Sequence, residues 1–266
     1  MSLILTLTGM STCGKSTLAK ALTATGAYAE AVSVTTRDMR PGEVNGKDYH
    51  FVTQEVFDQY VRDGQLLEHV KSHHACYGVP AFEVDRIQAA GMSVVMVLEP
   101  EGVSSIQKIA LERDENFIAA FVHVNTQVLI ERFFLRIEQA QAAGKAVSYD
   151  QEAKRLHVMF SKERGWSGRF DWDMTLMNLH QGNNLAAAVD QFVDFHEKSQ
   201  AFKPVERILK PEIAIECVAQ SELAEMIRAH VETPGPVDVF IRRAMAPLIE
   251  IQSKIRYHDG APSPAM

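Results

Sequence analysis

The chain has 266 residues, 46% of them hydrophobic, which is enough for one α/β domain with additions or for one large and one small domain. Its formal net charge of −7 argues against nucleic acid as the main partner, because a polyanion needs a basic face. Three widely spaced cysteines (Cys13, Cys76, Cys217), no signal-like N-terminus and no apolar run of membrane-spanning length argue against a disulfide frame, a zinc site and a membrane partner. They predict a reduced, cytoplasmic protein.

In chain order, apolar Leu3 to Leu7 predicts a strand and Thr17 to Leu22 a helix. Between them Gly9-Met10-Ser11-Thr12-Cys13-Gly14-Lys15-Ser16 fits G-x-x-x-x-G-K-[ST] without a gap. Two glycines let the backbone curl so that successive N–H groups face one anion, and the following helix adds its positive N-terminal end. Gly9, Ser11, Thr12, Cys13, Gly14, Lys15, Ser16 and Thr17 are therefore the candidate contacts of a nucleoside triphosphate. Lys15 is expected to reach the terminal phosphates, and the Ser16 hydroxyl to take a Mg²⁺ position. The positive potential of such a nest also favours a thiolate, so Cys13 is expected to be open to alkylation and shielded by ATP.

The segment Ser33 to Phe51 comes next, with Arg37 and Arg40 three residues apart beside hydroxyl-bearing residues. Each guanidinium can offer a bidentate fork to a dianionic phosphate, and Tyr49 can add a neutral donor. Further on stand Glu68 and the pair Tyr77-Gly78. A carboxylate accepts the adjacent N1–H and N2–H₂ donors of guanine but faces the acceptor N1 of adenine unfavourably. Taken singly, these residues read as solvated charges or core aromatics. Their order behind an intact phosphate loop is what makes a substrate site.

The run TTRDMRPGEVNGKDYHFV, followed by a glutamate and then YG, resembles the guanylate kinase family from about Leu3 to about Phe195. The resemblance implies a parallel sheet with a phosphate loop, flanking helices, a nucleoside-monophosphate-binding region and a helical lid. It also implies Mg²⁺-dependent transfer of the γ-phosphoryl group of ATP to GMP or dGMP. By position, Arg37, Arg40, Tyr49 and Tyr77 would hold the acceptor phosphate, while Ser33, Glu68 and Glu99 would read the base. Glu99 stands where the family has an aspartate. Val97 replaces another family aspartate near metal and phosphates, and Val79 replaces a Ser or Thr that touches the base.

Phe117 to Val124 reads as a buried strand. Val128 to Gln141 reads as a helix carrying Arg132 and Arg136 on one face, and Gln151 to Arg164 as a second helix carrying Arg155. The resemblance places these arginines in the lid, where they would stabilise charge on the transferring phosphate. The link at Gly144 to Asp150 is longer than in typical members and predicts an added lid loop. Asp173 and Asn178 flank a short strand, Met174 to Met177, and the resemblance puts Asn178 near adenine. Trp166 and Trp172 read as hydrophobic anchors, and His69, His73 and His74 show no metal spacing.

Beyond Phe195 the resemblance ends. Residues 1–197 are expected to form the kinase-like domain, with the acceptor region at about 33–80 and the lid at about 126–165, and residues 198–266 a C-terminal extension, α/β or helical. Lys198 to Pro211 reads as a linker, Ile213 to Val218 as a strand, Glu222 to Val231 as a helix, and Val237 to Arg256 as an amphipathic helix interrupted at Pro247. Its apolar positions need burial, which predicts packing on the core or a homodimer through the extension ahead of a small appended domain. Two rivals stay open: the same chemistry on a non-guanine nucleotide or a sugar phosphate, and a non-catalytic binding module, for which a degraded phosphate loop would be typical.

Overall fold

The computed structural model describes residues 2–39, 42–72, 75–177, 189–190, 192–193, 205–212, 215 and 217–245. Arg40, His73, His74, Asn178 and the chain beyond Met245, including the expected break at Pro247, lie outside these residues.

The chain divides into two compact units. The first comprises Met1–Gly9, Gly14–His123 and Arg169–Lys210. Its main sheet contains β1 (Leu3–Thr8), β2 (Tyr28–Glu30), β7 (Ser93–Val97), β8 (Asn116–His123) and β9 (Met174–Met177), in the order β2-β7-β1-β8-β9 with every pairing parallel. All six residues of β1 are buried, as a central parallel strand covered on both faces requires. Its two buried threonines are satisfied locally: Thr6 Oγ1 donates to the Ile118 carbonyl and Thr8 Oγ1 to that of Leu98. Ile4, Val84, Ile87, Val94, Met96, Ile106 and Phe117 pack into one apolar cluster with their neighbours.

Flanking this sheet are α1 (Lys15–Thr23), α3 (Ala81–Ala89) and α4 (Pro100–Glu112). A second, smaller sheet joins β3 (Val34–Thr35), β4 (His50–Phe51), β5 (Leu66–Ser72) and β6 (Ala75–Pro80) in the order β4-β3-β6-β5, and α2 (Gln54–Arg62) lies between β4 and β5 in sequence. The strands of the main sheet deliver the chemistry at their carboxyl ends, β1 to Gly9 and β7 to Glu99.

The second unit comprises Met10–Cys13, Val124–Gly168 and Pro211–Met266. Its helices are α5 (Thr126–Ala142), α6 (Tyr149–Ser161), α7 (Gln220–Glu232) and α8 (Val237–Ala244), with a 3₁₀ turn over Glu163–Gly168. Asn125 caps α5 by accepting the Val128 N–H, and Ser148 caps α6 by accepting that of Gln151. Phe133, Phe134, Ile137, Leu156 and Phe160 of α5 and α6 share a core with Leu223, Ile227 and Phe240 of α7 and α8. The apolar faces of α7 and α8, Val239 excepted, are thus buried within this chain.

Two expectations need correction. The helix predicted to run to Arg164 stops at Ser161, and the glycines at 165 and 168 continue it only as a tighter 3₁₀ turn. The strand predicted over Ile213 to Val218 is absent from the described residues 215 and 217–219. There the backbone ties to helix ends instead: the Ile215 N–H donates to Ser161 O and the Val218 N–H to Ala244 O.

Candidate active site

Gly14, at φ 97°, sits in the left-handed region that favours glycine and starts α1 without a side-chain cap. The helix therefore begins with uncapped amides beside Lys15, whose Nζ donates to the Gly9 carbonyl at 2.6 Å. Ser16 and Thr17 are exposed on this first turn, open to an ion or phosphate.

Within the second unit the loop tip is gripped from several sides. Ser11 donates its N–H and its hydroxyl to the two oxygens of Glu163, at 2.5 and 2.9 Å. Thr12, at φ 64°, donates its hydroxyl to Leu129 O, and Arg132 Nη1 donates to the carbonyls of Thr12 and Cys13 at 3.4 and 3.3 Å. Two sequence expectations change. Ser11 spends its donors on Glu163 and does not present them to an anion in this conformation. Cys13 is 1% exposed, so burial removes the access that its expected reactivity requires.

Arg136 and Arg155 converge on one carboxylate. Arg136 Nη2 donates to Glu152 Oε2 at 2.9 Å and Arg155 Nη1 to Oε1 at 2.5 Å. Two of the three arginines expected in a lid are thus brought together, around an internal anion.

On the acceptor side, in the first unit, Arg37 follows β3 and makes a bidentate pair with Glu43, both bonds 2.8 Å. This partner, before any other influence, raises the guanidinium pKa above its ordinary value. The Arg37 guanidinium lies over the Tyr49 and Phe51 rings at 5.1 and 5.4 Å, and the Tyr49 and Tyr77 rings meet edge-on at 6.0 Å. The structure therefore brings Arg37, Tyr49 and Tyr77 into one cluster. Ser33 stands half-buried just before β3, its carbonyl accepting the His50 N–H.

Glu68 is on β5. Burial, and then repulsion from Glu99, pushes its carboxyl up to about 7. Glu99 is the N-cap residue of α4. In the first turn of that helix, a Cβ added to Gly102 would lie 3.3 Å from Glu68 Oε2. Val79 is 1% exposed and belongs to the apolar cluster beneath the sheet, so the hydroxyl that the family carries there would have to enter an apolar setting.

A buried cluster escaped sequence reasoning. Glu83, 4% exposed on α3, accepts from Arg86 Nη2 at 2.7 Å and pairs with His50 Nε2 at 3.1 Å. Burial pushes its carboxyl up, but Arg86, His50 and the Val32 amide outweigh it and hold the group below its ordinary value. Residues 33 positions apart in sequence gave no signal of this contact, which ties β4 to α3. Trp166 is buried and Trp172 packs between Phe121 and Phe170, both in the anchoring role their sequence context suggests. Among the described residues no three His, Cys, Asp or Glu gather as a metal site, and no helix is long and apolar enough to cross a membrane.

The family model described as Guanylate kinase matches residues 2–161. The chain is 40% identical over 153 residues to a guanylate kinase of Rubrobacter xylanophilus, covering 57% of this chain and 80% of that one. It is 30% identical over 187 residues to one from Paramagnetospirillum magneticum, covering 70% and 81%. The solved guanylate kinase of Anaplasma phagocytophilum superimposes with a TM-score of 0.50 at 21% identity, over 84% of this chain and 94% of that one, a likeness of fold.

Proposed function

The chain belongs to the guanylate kinase family, and on that premise we infer that it transfers the γ-phosphoryl group of ATP to GMP, giving ADP and GDP. The observation that carries this reading furthest is the acceptor cluster: Arg37 stacked over Tyr49, with Tyr77 beside it and the partly buried carboxyl of Glu68 one strand away. An arginine with two phenols suits a nucleotide phosphate, and a desolvated carboxylate suits the paired donors of guanine.

In the reaction an oxygen of the GMP phosphate attacks the γ-phosphorus, the bond from that phosphorus to the β,γ-bridging oxygen breaks, and ADP leaves with the electron pair. The protein's part is alignment and charge stabilisation, with no covalent intermediate. Lys15 and the α1 amides neutralise the donor phosphates, with Gly9, Thr12, Cys13, Gly14 and Thr17 completing the loop. Arg132, Arg136 and Arg155 serve the transferring group, and Arg40 joins Arg37 on the acceptor. Bound Mg²⁺ would supply charge neutralisation at the donor phosphates, and the exposed Ser16 hydroxyl is the side-chain group that would hold it.

A coupled ADP-release assay with GMP, dGMP, AMP, dTMP and dCMP tests the reading. Turnover with the guanine nucleotides alone supports it, and turnover with another base and none with GMP refutes it.

A further inference from the structure

The residues between the family resemblance and the C-terminal helices are not a slack linker where they are described. Within the first unit, residues 205–210 lie along α4 and the entry to β9, held by side chains that are almost wholly buried. Gln107, 2% exposed on α4, donates its amide to Val205 O at 2.9 Å and accepts the Arg207 N–H at 3.2 Å. Arg169, 6% exposed, donates Nε to Lys210 O at 2.6 Å, while its own carbonyl accepts the Lys210 N–H at 2.8 Å. Arg207 closes the arrangement with an ion pair to Asp173, whose other oxygen accepts the Ala119 N–H of β8.

The second contact of Arg169 gives this segment a functional direction. Its Nη2 meets Glu101 Oε1 at 3.0 Å. Glu101 is in the first turn of α4, between Glu99, whose charge raises the Glu68 pKa, and Gly102, whose backbone abuts the Glu68 carboxylate. Segment 205–210 therefore grips α4 in mid-helix through Gln107 and at its N-terminal turn through Arg169. That turn forms one wall of the base-reading site, where a shift of a few tenths of an ångström changes how Glu68 meets a ligand.

We propose that residues 205–210 are a strap that sets the acceptor-base pocket, with Arg169 as its positioning residue acting on Glu68 and Glu99 through Glu101. This rests on the GMP reading above. The strap lies outside the matched residues 2–161 and beyond the resemblance that ends near Phe195, so its role belongs to this chain's additional sequence, whereas Arg169 stands within the resemblance.

The test is steady-state kinetics of the full chain with Arg169→Gln, Arg169→Lys, Glu101→Gln and the double variant Glu101→Gln/Arg169→Gln, varying GMP, IMP and ATP separately. IMP lacks the 2-amino donor that a carboxylate reads. The KM for GMP should rise about tenfold in both single neutral variants and no further in the double, as coupled residues behave. The KM for ATP and the kcat should stay within about twofold, the preference for GMP over IMP should shrink, and Lys should restore part of the loss. Should Arg169→Gln fail to fold, Glu101→Gln decides alone, since its side chain is 46% exposed. A GMP KM within about twofold of the parent, or an equal rise in the ATP KM, overturns the proposal. A parent chain that turns over no GMP overturns the functional reading and this inference with it, and is distinguishable because it appears before any substitution.

Discussion

Replacing Glu68 with glutamine should stabilise the protein while impairing it. The Glu68 carboxyl titrates near 7 in the folded chain against 4.5 as its ordinary value, chiefly from burial and then from Glu99. Between those two pH values the folded protein keeps a proton that the unfolded chain has lost, so stability is fully present below the lower value and is lost as pH rises through the higher one. Some 2.5 units correspond to about 3 kcal/mol once Glu68 is ionised. Glutamine resembles the protonated acid and carries no such cost. The two proteins should melt together at pH 4, below both values, and the variant should melt about 6–10 °C higher at pH 8.5.

Function should move the other way. Guanine donates two hydrogen bonds, and each bond to a charged group contributes about 1.5–3 kcal/mol. A glutamine still accepts one of them, so kcat/KM for GMP should fall about 100-fold while the KM for ATP holds. Because guanine prefers the ionised carboxylate, GMP binding to the parent should release a proton below pH 7, visible by calorimetry in buffers of different ionisation enthalpy, and this release should vanish in the variant. A melting difference that is flat with pH, or proton release that survives the substitution, would refute the placement of this carboxyl in a desolvated base site.

Lys15→Ala should lower kcat by about 10³-fold in the coupled assay, because the donor phosphates lose their fixed cation; a loss confined to KM would contradict that role. Glu43→Gln removes the carboxylate that occupies the Arg37 fork, so the KM for GMP should fall about 3- to 10-fold. An unchanged or higher KM would show that Glu43 orients Arg37 more than it competes. Gly102→Ala should leave melting unchanged or slightly raised, since alanine is the better helix former by about 1 kcal/mol. Its methyl crowds Glu68 Oε2 at 3.3 Å, so the KM for GMP should rise at least about threefold, and parallel changes for GMP and ATP would argue against a local effect.

The legibility of this chain followed how locally each feature is encoded. Gly9 to Ser16 concentrate a turn, a charge and a helix start in consecutive residues, and Arg37, Tyr49 and Phe51 lie in one short stretch, so the start of α1 and the grouping of these three side chains could be expected from the sequence. The boundaries of β1 and α5 followed from apolar periodicity to within a residue or two. What failed depended on tertiary partners. The apolar stretch at 213–218 looked like a strand, but of its described residues Ile215 and Val218 donate their N–H groups to Ser161 and Ala244 at helix ends. Cys13 looked reactive because a motif shows potential and not access. His50, Glu83 and Arg86, and equally Gln107 and Arg169, are buried polar groups whose partners are set by the fold and leave no local pattern.

Three further carboxylates share a physical logic. Glu43 holds Arg37, Glu152 holds Arg136 and Arg155, and Glu163 holds the Ser11 donors, so three sets of groups suited to anions each face an internal anion. The partly buried Arg37 guanidinium would be costly without a counter-charge, and Glu43 offsets that cost before a ligand arrives, whereas the more exposed Arg136 and Arg155 are held mainly in position. An incoming phosphate then exchanges one anion for another, without having to desolvate a bare cation, and its net gain is the difference between two charge-assisted interactions. Affinity at each position should therefore be tunable through the carboxylate as well as through the cation, which is why Glu43→Gln is expected to tighten GMP where Arg37→Ala would abolish the grip. The same argument applied to Glu152 makes its glutamine variant diagnostic. If the lid arginines are held in reserve for the transferring phosphate, kcat should rise or hold. If Glu152 instead fixes their geometry, kcat should fall although both cations remain.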